Sequence, residues 1–198
     1  MGADLSLHST ADRLDYNISQ KLALLRKLDP RSIQFRFLNI LTRSFEVVGS
    51  SATIIPCSLL ATIYFKYSGN DLHTSVIFFN LMLSLLVNVI LIGSIKGIVR
   101  RKRPDYSLND DMYLTHGPDI FSFPSGHAVQ MFLSVRYLLT YSNFGRALFL
   151  PCGLCGLITF LRIFTGRHFL SDVVGGSIIG WYSFDLYTRF MWQSVIWF

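Results

Sequence analysis

Cysteine is scarce in this 198-residue sequence, and its arrangement argues against metal or redox chemistry. Two of the three cysteines, Cys152 and Cys155, form a CxxC pair, but the pair lies inside an apolar stretch. A zinc site would need a second pair of Cys or His ligands, and no matching pair is present. We therefore predict that both residues are small buried hydrophobes.

The sequence also lacks internal repeats, low-complexity tracts and the pattern of a signal peptide. Its first long apolar run begins near Val47, after a polar start, so we expect no cleaved leader. Residues 1–6 fit the loose pattern for N-myristoylation, which is too permissive to carry a prediction.

Charged residues are few, at 15%, whereas 51% of the residues are hydrophobic and the mean hydropathy is +0.42. This composition is too apolar for an ordinary soluble domain. A helix needs roughly 20 apolar residues to cross a bilayer. We predict an all-α membrane bundle with about five membrane helices, at residues 47–65, 75–95, 125–141, 147–161 and 173–192.

Residues 1–45 are predicted to be a helical N-terminal segment, and residues 46–198 a single membrane-embedded domain. One face of the predicted N-terminal helix is apolar, at Ile33, Phe37, Leu41 and Phe45. This pattern favours a helix lying in the headgroup region of the membrane. A helix packed against the bundle is the alternative.

Positive charge is concentrated on one side of the predicted bundle. The N-terminus and the connections after the second and fourth spans share that side and hold most of the lysines and arginines. The opposite side has only Lys66, Arg146 and Arg189. The positive-inside rule therefore predicts that the basic side faces the cytosol.

Two opposite charges, Arg136 and Asp185, lie at similar depth inside predicted membrane helices. An unpaired charge at that depth costs about 2.5–3.5 kcal/mol. We predict an ion pair between them. The competing partner of Asp185 is Arg189, which lies four residues later on the same helix.

Chemically distinctive residues occupy three stretches at the predicted cytosolic helix ends: IKGIVRRKRP (95–104), PSGH (124–127) and RIFTGRHFLSD (162–172). The predicted topology brings them to one membrane face. Their cations, hydroxyl and backbone N–H groups all favour a multiply charged oxyanion. The predicted phosphate ligands are Lys96, Arg103, Arg162, the Ser125 hydroxyl and the N–H groups of Ser125 and Gly126.

Two histidines accompany this phosphate site. His168 precedes Asp172 by four residues, so the carboxylate can orient the imidazole and leave one nitrogen free to attack. We predict that His168 is a nucleophile that forms a phosphohistidine. His127 is predicted to protonate the leaving oxygen as general acid.

Metal-assisted hydrolysis is the mechanistic rival. Two-metal phosphatases need several carboxylates and histidines converging on the ions. The predicted site has one carboxylate and three cations. The loop between the second and third predicted spans holds four more acidic residues, which show no ligand-like spacing with the histidines: Asp105, Asp110, Asp111 and Asp119. We expect no metal or other cofactor, and we expect Arg100, Arg101 and Lys102 only to anchor the membrane helix.

The three stretches resemble the motifs KxxxxxxRP, PSGH and SRxxxxxHxxxD of the type-2 phosphatidic acid phosphatase superfamily. The resemblance covers about residues 45–198, with Leu161 in place of the serine of the third motif. It implies an active membrane lipid phosphatase. Within the superfamily, the chain is most similar to the small polyisoprenoid (presqualene) diphosphate phosphatases.

That closer resemblance implies presqualene, farnesyl and geranylgeranyl diphosphates as substrates, and location in the endoplasmic reticulum and nuclear envelope. The expected partners are a phosphorylated lipid and the membrane, without nucleic acid. Two alternatives remain open: a phosphatase of phosphatidic or lysophosphatidic acid, and a non-catalytic membrane scaffold with a phosphate-binding pocket.

Overall fold

The computed structural model describes residues 9–68, 72–107, 120–141 and 149–191. Within these ranges the regular structure is helical, which confirms the all-α prediction there, and one isolated β-bridge joins Lys102 to Phe121. The helices are α1 (Thr10–Leu22), α2 (Ile33–Val48), α3 (Ser51–Tyr67), α4 (Leu72–Val99), α5 (Gly126–Tyr141), α6 (Phe149–Phe164) and α7 (Leu170–Met191), with a 3-10 turn at Leu25–Lys27.

Several residues used in the sequence analysis lie outside the described ranges. They are residues 1–6, Asp110, Asp111, Asp119 and Arg146. The predictions made for them stay predictions.

Serine side chains define the starts of the two N-terminal helices. Ser9 accepts a hydrogen bond from the Asp12 N–H at the start of α1, and Ser32 accepts one from Phe35 at the start of α2. Each bond satisfies a backbone donor that the first helical turn leaves unpaired. The chain then bends by 47° between α2 and α3, where Gly49 packs closely on Ile158 of α6.

Helix α5 lies at the centre of the bundle. Its residues Leu133 and Tyr137 pack in one core cluster with Leu85 of α4 and Phe184 of α7. On another side it contributes to a second cluster with α6, which contains Met131, Val135, Cys155 and Ile158. The prediction of a buried cysteine is thus confirmed for Cys155 and wrong for Cys152, which is exposed in the structure.

The approach of α5 to α7 depends on two glycines of α7. A Cβ atom on Gly176 would lie 2.8 Å from the Ser125 carbonyl oxygen. A Cβ atom on Gly180 would lie 2.2 Å from the Val129 carbonyl oxygen. Both distances are shorter than real Cβ contacts, so the two backbones touch at positions where only glycine fits.

Membrane-spanning character is clearest for α4, the only described helix that is both long and apolar enough to cross a bilayer by itself. Helices α2 and α3 meet the same criteria when they are counted as one bent span, and α6 is apolar but shorter. The number of about five membrane helices and the orientation of the bundle stay predictions.

The predicted ion pair between Arg136 and Asp185 is confirmed. A guanidinium nitrogen of Arg136 lies 3.1 Å from a carboxylate oxygen of Asp185. The guanidinium also lies 4.4 Å from the centre of the Trp181 ring, close enough for a cation–π interaction. Helices α5 and α7 are therefore joined by charge as well as by packing.

Helix α2 runs through residue 45, where the sequence analysis divided the N-terminal segment from the membrane domain. The predicted apolar face is exposed at Ile33, Phe37 and Leu41. The inward face carries Thr42 and Glu46, which are buried. An exposed apolar face suits contact with lipid, and the interfacial location stays a prediction.

Candidate active site

A cavity of about 710 Å³ opens where the ends of α2, α4 and α5 meet the connection between α6 and α7. Most of the predicted site residues lie together on its wall. These are Lys96, Arg103, Gly126, His127, Arg162 and His168. Three lining residues that the sequence analysis did not select also contribute charge: Arg43, Glu46 and Arg167.

Two predicted phosphate donors of the PSGH turn have different surroundings. The Ser125 side chain is fully buried, and its hydroxyl makes no hydrogen bond to any described residue. The backbone N–H of Ser125 donates to the carbonyl oxygen of Asp172 over 3.0 Å. The hydroxyl thus has no described partner, but Ser125 does not lie on the cavity wall. The predicted use of the Ser125 N–H is wrong for this conformation because that donor is already occupied.

His168 is held by a backbone carbonyl group rather than by the predicted carboxylate. Its Nδ1 atom lies 2.8 Å from the Ser122 carbonyl oxygen and 3.7 Å from the Asp172 carboxylate. A carbonyl oxygen can only accept, so Nδ1 carries the proton and Nε2 is left unprotonated in the neutral ring. One ring nitrogen is therefore left without a proton, and Ser122 rather than Asp172 is the direct hydrogen-bond partner of the other.

Asp172 stabilises the start of α7 instead. One oxygen accepts the N–H of Phe169, the residue before α7, at 2.9 Å, and so satisfies a backbone donor at the start of the helix. The other oxygen accepts a hydrogen bond of 2.6 Å from Arg101. Because His168 immediately precedes this turn, the two bonds of Asp172 hold the backbone next to the imidazole in place.

Arg101 is a structural link rather than the membrane anchor that the sequence analysis predicted. Its guanidinium bridges Asp172 to Asp15 of α1, at 2.6 and 2.7 Å. It also lies 4.2 Å from the centre of the Phe169 ring. Helix α1 adds a further contact, because Ser19 accepts the N–H of Leu170 at 2.8 Å. The start of α7 is thus held in place by α1.

We expect Arg101→Ala to impair catalysis strongly and Lys102→Ala to have little effect. The first change leaves the fully buried Asp172 carboxylate without its charged partner, which costs about 3–5 kcal/mol for a buried pair. Lys102 is exposed and serves as the matched control. Initial rates of phosphate release and thermal unfolding curves would be measured for both. Equal losses in the two variants would show that Arg101 has only an anchoring role.

His127 does not direct its proton into the cavity in this conformation. Its Nε2 atom lies 3.0 Å from the carbonyl oxygen of Glu46, so Nε2–H is the donor. Nε2 can donate to a ligand in the cavity only after this hydrogen bond is released. The end of α2 around Glu46 thus holds the side chain that is predicted to be the proton donor.

Glu46 is the acidic residue on the cavity wall, and the sequence analysis missed it. Its two carboxylate oxygens accept separate hydrogen bonds, from Arg162 at 2.5 Å and from Arg167 at 2.6 Å. One signal was available in the sequence. Glu46 is its only glutamate and lies at the edge of a predicted membrane run, where an ionisable residue is by default a functional candidate.

The surroundings of His168 lower its pKa. Burial of the ring lowers the pKa well below its ordinary value, and the positive charges of Arg162, Arg103 and Lys96 act in the same direction. The hydrogen bond to the Ser122 carbonyl oxygen opposes them with a smaller effect. His168 therefore stays neutral, and able to act as a nucleophile, at pH values below the usual histidine pKa of about 6.5.

This shift predicts the pH dependence of activity. Protonation of His168 removes the nucleophile, so kcat/KM should decrease as the pH is lowered. We expect the midpoint of this decrease, the acid limb of the pH profile, to lie below about pH 6.5. In Arg162→Ala one cause of the shift is absent, and the limb should move to higher pH. The ionisation of the substrate is the same for both proteins, so the difference between their profiles reports on the enzyme. Superimposable acid limbs would contradict the prediction.

Comparison with known proteins gives one family match. The family model described as "PAP2 superfamily" matches residues 77–196. The chain is 26% identical over 171 residues to lipid phosphate phosphatase 2 of Arabidopsis thaliana, covering 70% of this chain and 58% of that protein. It is 24% identical over 198 residues to phosphatidylglycerophosphatase B of Bacillus subtilis (strain 168), covering 93% and 87% respectively. The chain thus spans little more than half the length of the Arabidopsis relative.

Two solved structures have a similar fold. One is the first transmembrane PAP2 type phosphatidylglycerolphosphate phosphatase from Bacillus subtilis, with a TM-score of 0.66, 22% identity and coverage of 98% of this chain and 92% of the other. The second is Aquifex aeolicus LpxE, with a TM-score of 0.62, 21% identity and coverage of 86% and 94%. At these identities the similarity concerns the fold alone.

Proposed function

Because the chain belongs to the PAP2 superfamily, we propose that it is a membrane lipid phosphatase that works without a metal ion, through a phosphohistidine. The observation that carries this proposal is the convergence of a neutral histidine and several cations on one cavity. The described residues include no group of three His, Cys, Asp or Glu side chains that could hold a metal ion. Cationic side chains can supply the electrostatic stabilisation instead.

The proposed reaction has two displacement steps. Nε2 of His168 attacks the terminal phosphorus atom, a bond between nitrogen and phosphorus forms, and the bond to the leaving oxygen breaks. His127, as the imidazolium, gives its Nε2 proton to that oxygen after the hydrogen bond to Glu46 is released, and becomes neutral. Water then attacks the phosphohistidine and gives one proton to the now neutral His127, the bond between nitrogen and phosphorus breaks, and inorganic phosphate leaves with Nε2 of His168 restored as a free base.

The phosphate-binding role falls to Lys96, Arg103, Arg162 and the Ser125 hydroxyl. Lys96 and Arg162 are almost fully buried, at 2% and 4% exposure, so their charges act in a medium of low dielectric constant. Preorganised cations of this kind stabilise the charge on a transferring phosphoryl group. The Gly126 N–H, at the start of α5, is the remaining predicted donor.

For the substrate, we propose isoprenoid diphosphates such as presqualene, farnesyl and geranylgeranyl diphosphate. The resemblance of the three motifs to the polyisoprenoid diphosphate phosphatases supports this choice. The cavity also extends from its cations to the apolar side chains of Val89 and Ile92, which suits a lipid whose headgroup and first tail carbons enter together. The proposed location is the endoplasmic reticulum and nuclear envelope, with the site facing the cytosol.

Phosphatidic or lysophosphatidic acid is the second candidate substrate. It is favoured by the names of the relatives, a lipid phosphate phosphatase and a phosphatidylglycerophosphatase. The two candidates differ in the charge of the headgroup and the shape of the tail, while the chemistry at phosphorus is the same.

The test is phosphate release from farnesyl diphosphate and from phosphatidic acid, by the full chain in detergent with excess EDTA. Faster release from farnesyl diphosphate would support the isoprenoid proposal, and faster release from phosphatidic acid would support the second candidate. Activity that EDTA removes and Mg²⁺ restores would contradict the metal-free mechanism. Folded protein without activity on either lipid would favour the scaffold, and reversion of Leu161 to Ser would be examined first.

A further inference from the structure

Glu46 occupies the cationic part of the cavity as an anion. Its carboxylate is held between two guanidinium groups, with one oxygen bonded to Arg162 and the other to Arg167. The side chains of Arg162 and Glu46 are only 5% and 9% exposed. Among the described residues on the cavity wall, Glu46 is the only acidic one.

The donors that hold Glu46 are of the kind that would hold a phosphate. Guanidinium groups bind carboxylate and phosphate through the same forked arrangement of N–H donors. Two anions sharing these donors would repel each other strongly, because the pair lies in a nearly dry site. Phosphate and the Glu46 carboxylate are therefore competitors for Arg162 and Arg167.

We propose that Glu46 is a displaceable internal anion, which yields the two arginines to the substrate phosphate and returns to them to expel inorganic phosphate after hydrolysis. This inference rests on the proposed function. It assigns Glu46 a role in substrate selection and product release: a headgroup must carry enough charge to displace the carboxylate. The same cations without an internal anion would hold inorganic phosphate more tightly and release it more slowly.

The same residue also restrains the proton donor. The Glu46 carbonyl oxygen accepts the hydrogen bond from His127, while the Glu46 side chain binds the arginines. Both groups belong to the last turn of α2, two residues before the helix ends at Val48. A shift of this turn on phosphate binding would free the arginines and His127 together, so that proton donation is coupled to occupation of the site.

The first experiment measures the affinity of the full chain for inorganic phosphate, in detergent, from the rise in melting temperature with phosphate concentration. Glu46→Gln keeps the size of the side chain and removes its charge. We expect its dissociation constant for phosphate to fall by about tenfold or more, since one competing charge is lost at close range. Asp105→Asn, which removes a charge from an exposed side chain outside the cavity wall, should leave the constant unchanged.

Kinetics provide a second readout. In Glu46→Gln, inorganic phosphate should inhibit at about tenfold lower concentration, and kcat should fall as product release becomes slower. Glu46→Asp keeps the negative charge and should remain closer to the wild-type protein in both properties. Unchanged or weaker phosphate binding by Glu46→Gln would overturn the inference and would show that Glu46 only holds the arginines in position.

Loss of stability in Glu46→Gln is also informative. Without the carboxylate, two largely buried guanidinium groups lose their anion, and added phosphate should restore the melting temperature toward that of the wild-type protein. Failure of phosphate to restore it would count against the inference.

If the wild-type protein binds phosphate but hydrolyses neither lipid, the proposed function fails alone. If it hydrolyses lipid and Glu46→Gln gains no affinity for phosphate, the inference fails alone.

Discussion

His168→Ala is expected to reduce phosphate release from every lipid substrate by about 10⁴-fold or more, the scale of loss when a covalent nucleophile is removed. Alanine has no atom that can form the covalent intermediate. The remaining cations would still bind the headgroup, so binding should persist. We would therefore measure turnover and phosphate affinity in the same preparation.

The matched control is His73→Ala. His73 is an exposed histidine near the start of α4, and it does not lie on the cavity wall. Its substitution should leave turnover within about twofold of the wild-type rate, as expected for a surface change. A His168→Ala enzyme with substantial activity would show that another group attacks phosphorus, and the phosphohistidine mechanism would be abandoned.

Gly180→Ala is expected to destabilise the protein by about 3 kcal/mol, at the upper end of the range for overpacked positions. The added Cβ atom would lie 2.2 Å from the Val129 carbonyl oxygen and 2.9 Å from the Val129 Cα atom. Backbone atoms cannot move aside as a flexible side chain can, so α5 and α7 must separate. In a chain of this size, the loss corresponds to a decrease of about 6–12 °C in melting temperature.

Activity should fall with stability in this variant, because α5 carries the PSGH turn at its start. Separation of α5 from α7 would move Ser125 and His127 away from His168. Gly153→Ala on α6 is the control, since a Cβ atom there would meet no other atom within 4 Å. Alanine also favours the helical conformation, so Gly153→Ala should be neutral or slightly stabilising. Equal melting temperatures for the two variants would contradict the proposed packing.

Much of the candidate site could be predicted because its residues form short motifs. Lys96 and Arg103 lie on one stretch, and Arg162 and His168 on another, so chain connectivity alone places each set at one helix end. The pairing of Arg136 with Asp185 was also predictable. Both residues lie inside apolar helices, where the cost of an isolated charge leaves few alternatives.

The contacts that the sequence could not predict join residues that are distant along the chain. Glu46 lies 116 and 121 residues from the arginines that it binds, and His168 lies 46 residues from Ser122. Hydrophobic periodicity compares only neighbours on one helix, so it identified the apolar face of α2 and gave no information about the partner of Glu46.

The sequence by itself determined the superfamily, the helical class and the three sets of chemical groups that meet at the cavity. The tertiary structure decided which of those groups touch. It placed Ser122 rather than Asp172 on the His168 ring, joined Asp172 to α1 through Arg101, and put Glu46 between two arginines. The physical reason is that a buried donor or charge binds whichever partner the packing of helices brings within reach, and sequence separation does not constrain that choice.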